Sequence, residues 1–333
     1  MPSSPILLAT RGSALALAQA NAVLAQCRAA FPKLAFEIKI IKTTGDKLQT
    51  ASLAQEGKTL PKGLFTKELE VALLENRADL AVHSLKDLPT DLPDGLKLGA
   101  VGMRADVREV LIYRDEADLR SAPGEDGQPT KRGFKNGLSI PNLPEGAVVA
   151  TSSTRRRAQL LAHNPGLKVP DIRGNVLTRL QKLADNIELD ATVLALAGIT
   201  RLQYRVTNEG QLRGESVPDG LLATVLDTKV MLPCVGQGAV GIEVRQGDER
   251  IASICEKLND YITHQCVTAE RAFLAGMGGG CQSPVAAYAE VVADELRMRA
   301  ISFANGPLQR AQAKGAIAEA KELGNQLAAE LKG

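Results

Sequence analysis

Twice along this chain a short apolar run stops at a cluster of small polar residues and gives way to a helical pattern. The first instance is Leu8-Ala9-Thr10-Arg11-Gly12-Ser13, and the second is Val149-Ala150-Thr151-Ser152-Ser153-Thr154. A strand that feeds a helix and then another strand is the unit of an α/β sheet, so a chain that restarts this unit points to two related α/β domains. In the first, residues 5–10 read as a strand, and Leu15, Ala18, Ala22 and the 24–31 run support a helix. Residues 36–42 alternate as a strand, 64–76 place Leu64, Phe65, Leu69, Leu73 and Leu74 at helical spacing, and 79–83 form a buried-type strand. In the second, 146–151 read as a strand and Ser152 or Ser153 caps a helix over 154–163. Residues 167–172, 175–183 and 191–196 follow as strand, helix and strand. This rhythm predicts largely parallel sheets.

A third unit opens near Tyr261. A helix over 263–274 leads into Gly278-Gly279-Gly280-Cys281, runs at 285–292 and 296–303 alternate as antiparallel strands, and 316–331 forms an amphipathic helix. This reads as a small α+β domain. Gly236-Gln237-Gly238, followed by a strand-like 239–243, suits a chain crossing between domains. It lacks the third glycine and the context of a nucleotide loop. The Gly-, Pro- and charge-rich stretch 121–137 reads as a surface insertion without chemistry.

Lys and Arg total 40 against 38 for Asp and Glu, Trp is absent and aromatics are 3%, which argues against a nucleic-acid partner. No run approaches the ~18 apolar residues of a membrane helix. Arg11, Gln19 and Asn21 interrupt the apolar N-terminal stretch, so no export signal is read. Five cysteines without C-x-x-C spacing and three scattered histidines give neither a disulfide framework nor a metal site, and fit a reducing cytoplasm.

Ser152-Ser153-Thr154-Arg155-Arg156-Arg157 places three cations in the first turn of a helix, where they oppose its dipole. Either this is a solvated basic face, or an anion sits there. Arg173-Gly174-Asn175 lies beyond a second strand end with Arg179 on the next helix, and Arg11 and Ser13 take the matching place in the first domain. Ligands of open α/β sheets bind at such carboxyl ends, so these arginines suggest a cleft for several carboxylates or phosphates. Lys86 and Asp87 follow the strand ending at His83. Asp87 could steady a developing cation or move a proton, or it could be a plain ion pair or cap. The polar stretch 43–63, with Lys42 at its edge and Lys47, Lys58 and Lys62 within it, is either floppy surface or, if its lysines face an anionic cleft, a lid. Cys281, on a glycine-rich loop, departs from the buried-thiol pattern of the other cysteines and is a candidate covalent attachment site.

Several motifs, in order and spanning nearly the whole chain, resemble the porphobilinogen deaminase (hydroxymethylbilane synthase) family. They are Thr10-Arg11-Gly12-Ser13, Lys62-Gly63-Leu64-Phe65-Thr66-Lys67-Glu68-Leu69-Glu70, Ala81-Val82-His83-Ser84-Leu85-Lys86-Asp87, Thr151-Ser152-Ser153 with Arg155-Arg156, Arg173-Gly174-Asn175-Val176 with Arg179, Val235-Gly236-Gln237-Gly238-Ala239 and Gly279-Gly280-Cys281-Gln282. The resemblance implies two α/β domains of the type II periplasmic-binding-protein kind and a smaller α+β C-terminal domain. Residues 1–104 with 238–257, 105–237 and 258–333 would form the three. It implies a dipyrromethane cofactor on a thioether to Cys281, to which four porphobilinogen units are added before hydrolysis releases hydroxymethylbilane. Lys86, Asp87, Ser13, Ser152, Ser153, Arg155, Arg156, Arg173 and Gly174 would hold the cofactor. Arg11, Ser13, Arg155, Arg173, Arg179 and Lys62 would bind substrate. Asp87 would be catalytic, holding pyrrole N–H groups and offsetting the azafulvene cation. A cytoplasmic monomer, with no metal, membrane or nucleic acid, is expected. Thr154, the 55–62 segment and Arg104-Ala105-Asp106-Val107-Arg108-Glu109 depart from the family's usual pattern and leave lid and hinge behaviour open.

Overall fold

A computed structural model describes residues 4–46, 63–120, 132–280 and 283–332. The elements run β1 (Ile6–Thr10), α1 (Ala14–Ala30), β2 (Phe36–Ile40), α2 (Lys67–Leu74), β3 (Leu80–Ser84), β4 (Leu96–Val101), β5 (Glu109–Arg114) and α3 (Glu116–Arg120). Then come β6 (Val149–Ala150), α4 (Thr154–His163), α5 (Val176–Asp185), β7 (Ala191–Ala195), α6 (Leu196–Arg201), β8 (Arg205–Val206), β9 (Leu212–Arg213) and β10 (Leu221–Leu226). The chain closes with β11 (Val240–Arg245), α7 (Glu249–Leu258), α8 (Tyr261–Gly276), β12 (Val285–Val292), β13 (Glu295–Ser302), β14 (Gln309–Ala316) and α9 (Ala320–Lys332).

The first sheet has the order β2-β1-β3-β11-β4. Ile6 and Leu8 of β1 face Val23, Leu24 and Cys27 of α1 and Ile251 and Ile254 of α7. Ala9 and Ala81 point the other way, onto Leu69 and Leu73 of α2. Both faces are thus covered, which is why β1 and β3 read as unbroken apolar runs. The second sheet has the order β10-β5-β7-β6, with Leu111, Tyr113, Val149, Leu160 and Val193 in one core and Val110, Ile112, Leu180 and Leu194 in another. The last sheet is the meander β12-β13-β14, against which α8 and α9 bury Phe273, Leu323 and Leu327. The fold is therefore two α/β lobes and an α+β unit.

The expectation of largely parallel sheets is corrected. Among the described residues only the strand pairs β1–β2, β1–β3 and β6–β7 are parallel. β11 runs antiparallel to β3 and β4 because it returns from the second lobe, and β5 runs antiparallel to β7 and β10. Residues 167–172 form no strand, only a bridge from Lys168 to Val148. Their neighbour β6 is two residues long, and Pro170 has no N–H to donate. The helix read over 64–76 shortens to α2 behind a turn. Of the 121–137 insertion, 121–131 lie outside the described residues. Phe134 is tied in, donating to Arg114 O at 2.8 Å and meeting Tyr113 edge-on.

Two chain crossings join the lobes, and both are pinned. Ala105 N donates to Gly238 O at 3.0 Å, and Gln237 Nε2 to Val107 O at 2.7 Å. Arg104 pairs with the buried Glu270 of α8 through Nη1 at 2.6 Å and Nη2 at 3.0 Å.

Candidate active site

Asp87 sits on a single 3₁₀ turn, Leu85–Asp87, that follows β3 without a break. The turn is held from behind, where Leu85 N donates to Ala239 O at 3.1 Å. Gly236 has φ +71°, and a Cβ on it would lie 3.2 Å from both Leu85 Cγ and Lys86 N. Glycine therefore lets the returning crossing lie against the turn. Lys86 and Asp87 themselves are half-buried.

A pocket of about 60 Å³ opens at Asp87, walled by Arg11, Ser13, Gln19, Phe65 and His83 among others. Ser13 caps α1 by accepting from Ala16 N at 3.4 Å. Arg11 Nη2 lies 2.5 Å from Asp46 Oδ1, and its guanidinium stands 4.2 Å from the centre of the Phe65 ring. Burial would raise the Asp46 carboxyl, but hydrogen bonds from Arg11 and Thr43 hold it below the usual range. Gln19 and Ser84 exchange hydrogen bonds at 2.9 and 3.0 Å. Behind the pocket, His83 Nε2 is 3.0 Å from Oε2 of the fully buried Glu243.

The second lobe supplies the opposite charges. Ser153 caps α4, accepting from Arg156 N at 3.3 Å. Ser152 does not cap. Its hydroxyl donates to Ile172 O at 2.8 Å and accepts from Ile172 N at 3.1 Å, lacing the end of β6 to the segment that leads into α5. The anion expected at the arginine cluster is partly internal. Glu109, fully buried at the start of β5, accepts from Arg155 at 2.5 Å and from Arg156 at 2.8 and 3.2 Å. Burial pushes its carboxyl up, yet Arg156 and Arg155, with help from Lys86 of the first lobe, bring it down to about 2. Arg157 pairs with Asp171 at 2.8 Å on the surface.

Gly174 has φ +117°, and a Cβ there would lie 2.6 Å from Thr178 Cγ2, so the turn into α5 needs glycine. Its carbonyl accepts from Arg179 Nε at 2.9 Å. Burial and the neighbouring Arg156 press the Arg179 guanidinium down to about 10, only partly offset by Asp87. The structure thus gathers Lys86, Asp87, Arg155, Arg156 and Arg179 around one cleft. Arg173 is exposed and lines a separate hollow of about 1550 Å³ with Lys168, Asp171 and Lys182. Lys62 and Cys281 lie outside the described residues, as does most of the 43–63 stretch. Glu109, Asp46 and the His83–Glu243 pair were missed by sequence reasoning. A lone acid heading the apolar run Val110-Leu111-Ile112-Tyr113 was the available signal for the first.

Two α/β lobes, with Arg155, Arg156 and Arg179 of the second lobe gathered near Asp87 of the first, followed by an α+β unit, define the class of protein. Residues 6–253 match the family model for the porphobilinogen deaminase dipyromethane cofactor-binding domain, and 264–333 match the model for the porphobilinogen deaminase C-terminal domain. The chain is similar to the porphobilinogen deaminase of Paracoccus denitrificans, at 42% identity over 100% of this chain and 95% of that protein. It is similar to those of Desulforudis audaxviator, at 42% identity over 98% and 94%, and of Thermus thermophilus, at 41% over 98% and 95%. Among solved structures, the VFT2 domain of Bordetella pertussis BvgS aligns with TM-score 0.42 at 15% identity, over 76% of this chain and 86% of that domain. The BenM effector-binding domain with benzoate aligns with TM-score 0.41 at 15% identity, over 78% and 91%. The chain belongs to the porphobilinogen deaminase family.

The residues present fit a pyrrolic polycarboxylate cofactor. Arg155 Nε is buried with no hydrogen-bond partner. Among the described residues, no carboxylate lies within ion-pair distance of Arg179, whose charge the fold disfavours. Buried donors in excess of acceptors suit ligand carboxylates, and the half-buried Asp87 suits ligand N–H groups.

Proposed function

We propose that this chain carries out its family's reaction, the stepwise deamination and head-to-tail joining of four porphobilinogen units and the hydrolytic release of hydroxymethylbilane. Its three domains are residues 1–104 with 238–257, 105–237 and 258–333. The dipyrromethane held as a thioether on Cys281 supplies the nucleophilic pyrrole end on which the units collect. Arg155, Arg156 and Arg179 bind acetate and propionate arms, with Arg11 and Ser13 at the incoming unit and Lys86 beside them. Ser152, Ser153 and Gly174 shape the loops that carry the arginines. Lys62 and Arg173 complete the set.

Asp87 lies where the cation forms. When ammonia leaves the aminomethyl carbon, the C–N pair departs with nitrogen and positive charge spreads over the pyrrole. An ionised carboxylate facing it lowers that barrier, and in a partly dehydrated cleft the effect exceeds that in water. Asp87 then accepts the α-proton once the new C–C bond forms. Placement in the cytoplasm as a monomer belongs to the same reading. Among the described residues no helix is long and apolar enough to cross a membrane.

The observation that carries this reading is the pairing of one half-buried carboxylate, Asp87, with a surplus of buried guanidinium across the cleft. Intact mass tests it. The purified protein should exceed its polypeptide mass by two linked pyrrole units, and Cys281→Ser should lack both the excess and turnover. Asp87→Ala should keep the fold and the added mass but lose at least about 100-fold in kcat. Near-normal turnover would remove Asp87 from the mechanism. A bare polypeptide mass would leave a non-catalytic anion binder.

A further inference from the structure

We propose that Glu109 is a positioning residue that sets how tightly the arginine pair grips the growing chain. It is a built-in carboxylate that neutralises part of Arg155 and Arg156, so that the chain's own carboxylates are held loosely enough to be moved on. The inference rests on the reading of those arginines as chain-binding residues.

Glu109 is fully enclosed, and both its oxygens are engaged. Oε1 accepts from Arg155 at 2.5 Å and from Arg156 Nε at 3.2 Å, and Oε2 accepts from Arg156 at 2.8 Å. Each guanidinium is also fixed on a second side. Arg155 Nη1 donates to Leu232 O at 2.8 Å, and Arg156 Nη1 to Val193 O at 2.8 Å. The forks are therefore oriented before any ligand arrives, and Arg155 Nε is left over, buried and without a partner. Lys86 of the other lobe also favours the ionised form of Glu109 electrostatically.

An anion among anion-binding residues has a physical use in a stepwise polymerisation. Each added unit brings an acetate and a propionate, so the attraction between chain and cleft rises with length. Without Glu109, Arg155, Arg156 and Arg179 would have no carboxylate within ion-pair distance among the described residues. In a poorly hydrated cleft that uncompensated charge would hold each successive product harder than the last. Uniform tightening of this kind lowers KM without helping the chemistry, and it slows departure. Glu109 also stands at the joint. It begins β5 just after the outgoing crossing, while Arg155 and Gln159 both hold Leu232 before the returning one. The arginines and both chain crossings between the lobes thus meet around one ion cluster.

The experiment reads chain-length distribution rather than rate. Wild type and Glu109→Gln are given limiting porphobilinogen, and the protein species carrying successive added pyrrole units are counted by intact mass. Glu109→Gln should shift the population several-fold toward the longest-chain species. An unchanged distribution, or one shifted to shorter chains, would overturn the proposal. A loss of folding alone would reduce the yield of all species without moving their ratio. Should Glu109→Gln not fold, the same comparison is made between Arg155→Gln and the double variant Arg155→Gln/Glu109→Gln, which restores the pair's net charge. Removing Glu109 in that background should again lengthen the chains, and no movement would refute the idea. A wild type without added pyrrole mass would defeat the underlying reading and this one with it. A wild type with a normal ladder that the variants do not move would defeat this one alone.

Discussion

Glu109 is a carboxylate that water does not reach and that nonetheless stays ionised. Burial raises its pKa, and the Arg156 and Arg155 guanidiniums overcome that and bring it from 4.5 to about 2. A folded-state pKa below the unfolded one means stability that is fully present above pH 4.5 and lost as pH falls toward 2. A shift of this size corresponds to about 3 kcal/mol. Urea unfolding at stepped pH should therefore show a loss of that order across the window, and Glu109→Gln should lack it. Equal slopes for the two proteins would show that the acid transition belongs to other carboxylates. The thiols illustrate the opposite outcome. Cys27, Cys255 and Cys266 have no cation pair strong enough to offset burial, and their pKa values are pushed up to about 11. At neutral pH they are neutral and enclosed, so an alkylating reagent applied to the native protein should leave all three unmodified in a peptide map.

The crossing segments between the lobes depend on a pair contributed by α8. Glu270 accepts from Arg104 and also from Gly236 N and Ala289 N, each at 2.8 Å. One carboxylate thus holds the outgoing crossing, the returning crossing and β12 together. Glu270→Gln strands the Arg104 charge in a nearly closed site, and breaking such a buried pair costs about 3–5 kcal/mol. Denaturant unfolding should register that loss, and a change below 1 kcal/mol would mean water replaces the carboxylate. The sequence marked this segment only as a departure from a pattern, because a contact between Arg104 and Glu270 has no local signature. Elements with a strong period were legible: β1, α1, β3, α4, α5, β7, β12 and β13 all lie where apolar spacing placed them. β14 was not, since Gln309-Arg310-Ala311-Gln312-Ala313-Lys314-Gly315-Ala316 has no β-branched residue and owes its strand to pairing with β13. The direction of β11 was hidden for a related reason, because direction in a sheet is set by where the chain comes from. Of the site, the arginines were visible from their place at strand ends. Glu109, which decides their charge state as a group, was not, because its meaning depends on contacts 46 and 47 residues away.

Across the molecule, the two lobes bring together charges that neither would tolerate facing its own kind. Arg179 is disfavoured in its charged form by burial and by Arg156, and its pKa falls to about 10. At neutral pH it remains charged, so the fold bears a strain that an anion in the cleft would relieve. A ligand bound only by the folded state stabilises it, and a tethered polycarboxylate is always present at its site. Wild type carrying its cofactor should therefore melt several degrees above Cys281→Ser, at about 2–4 °C per kcal/mol for chains of this general size. The difference should be largest at low ionic strength. Salt offers the bare cleft screening counterions, with a Debye length falling from about 10 Å at 0.1 M to about 3 Å at 1 M. Raising salt should therefore lift the melting temperature of the variant more than that of the loaded protein, and the gap should narrow. Coincident melting curves at every ionic strength would mean the cleft cations are already neutralised from within, and the arginines would lose their standing as the cofactor's grip.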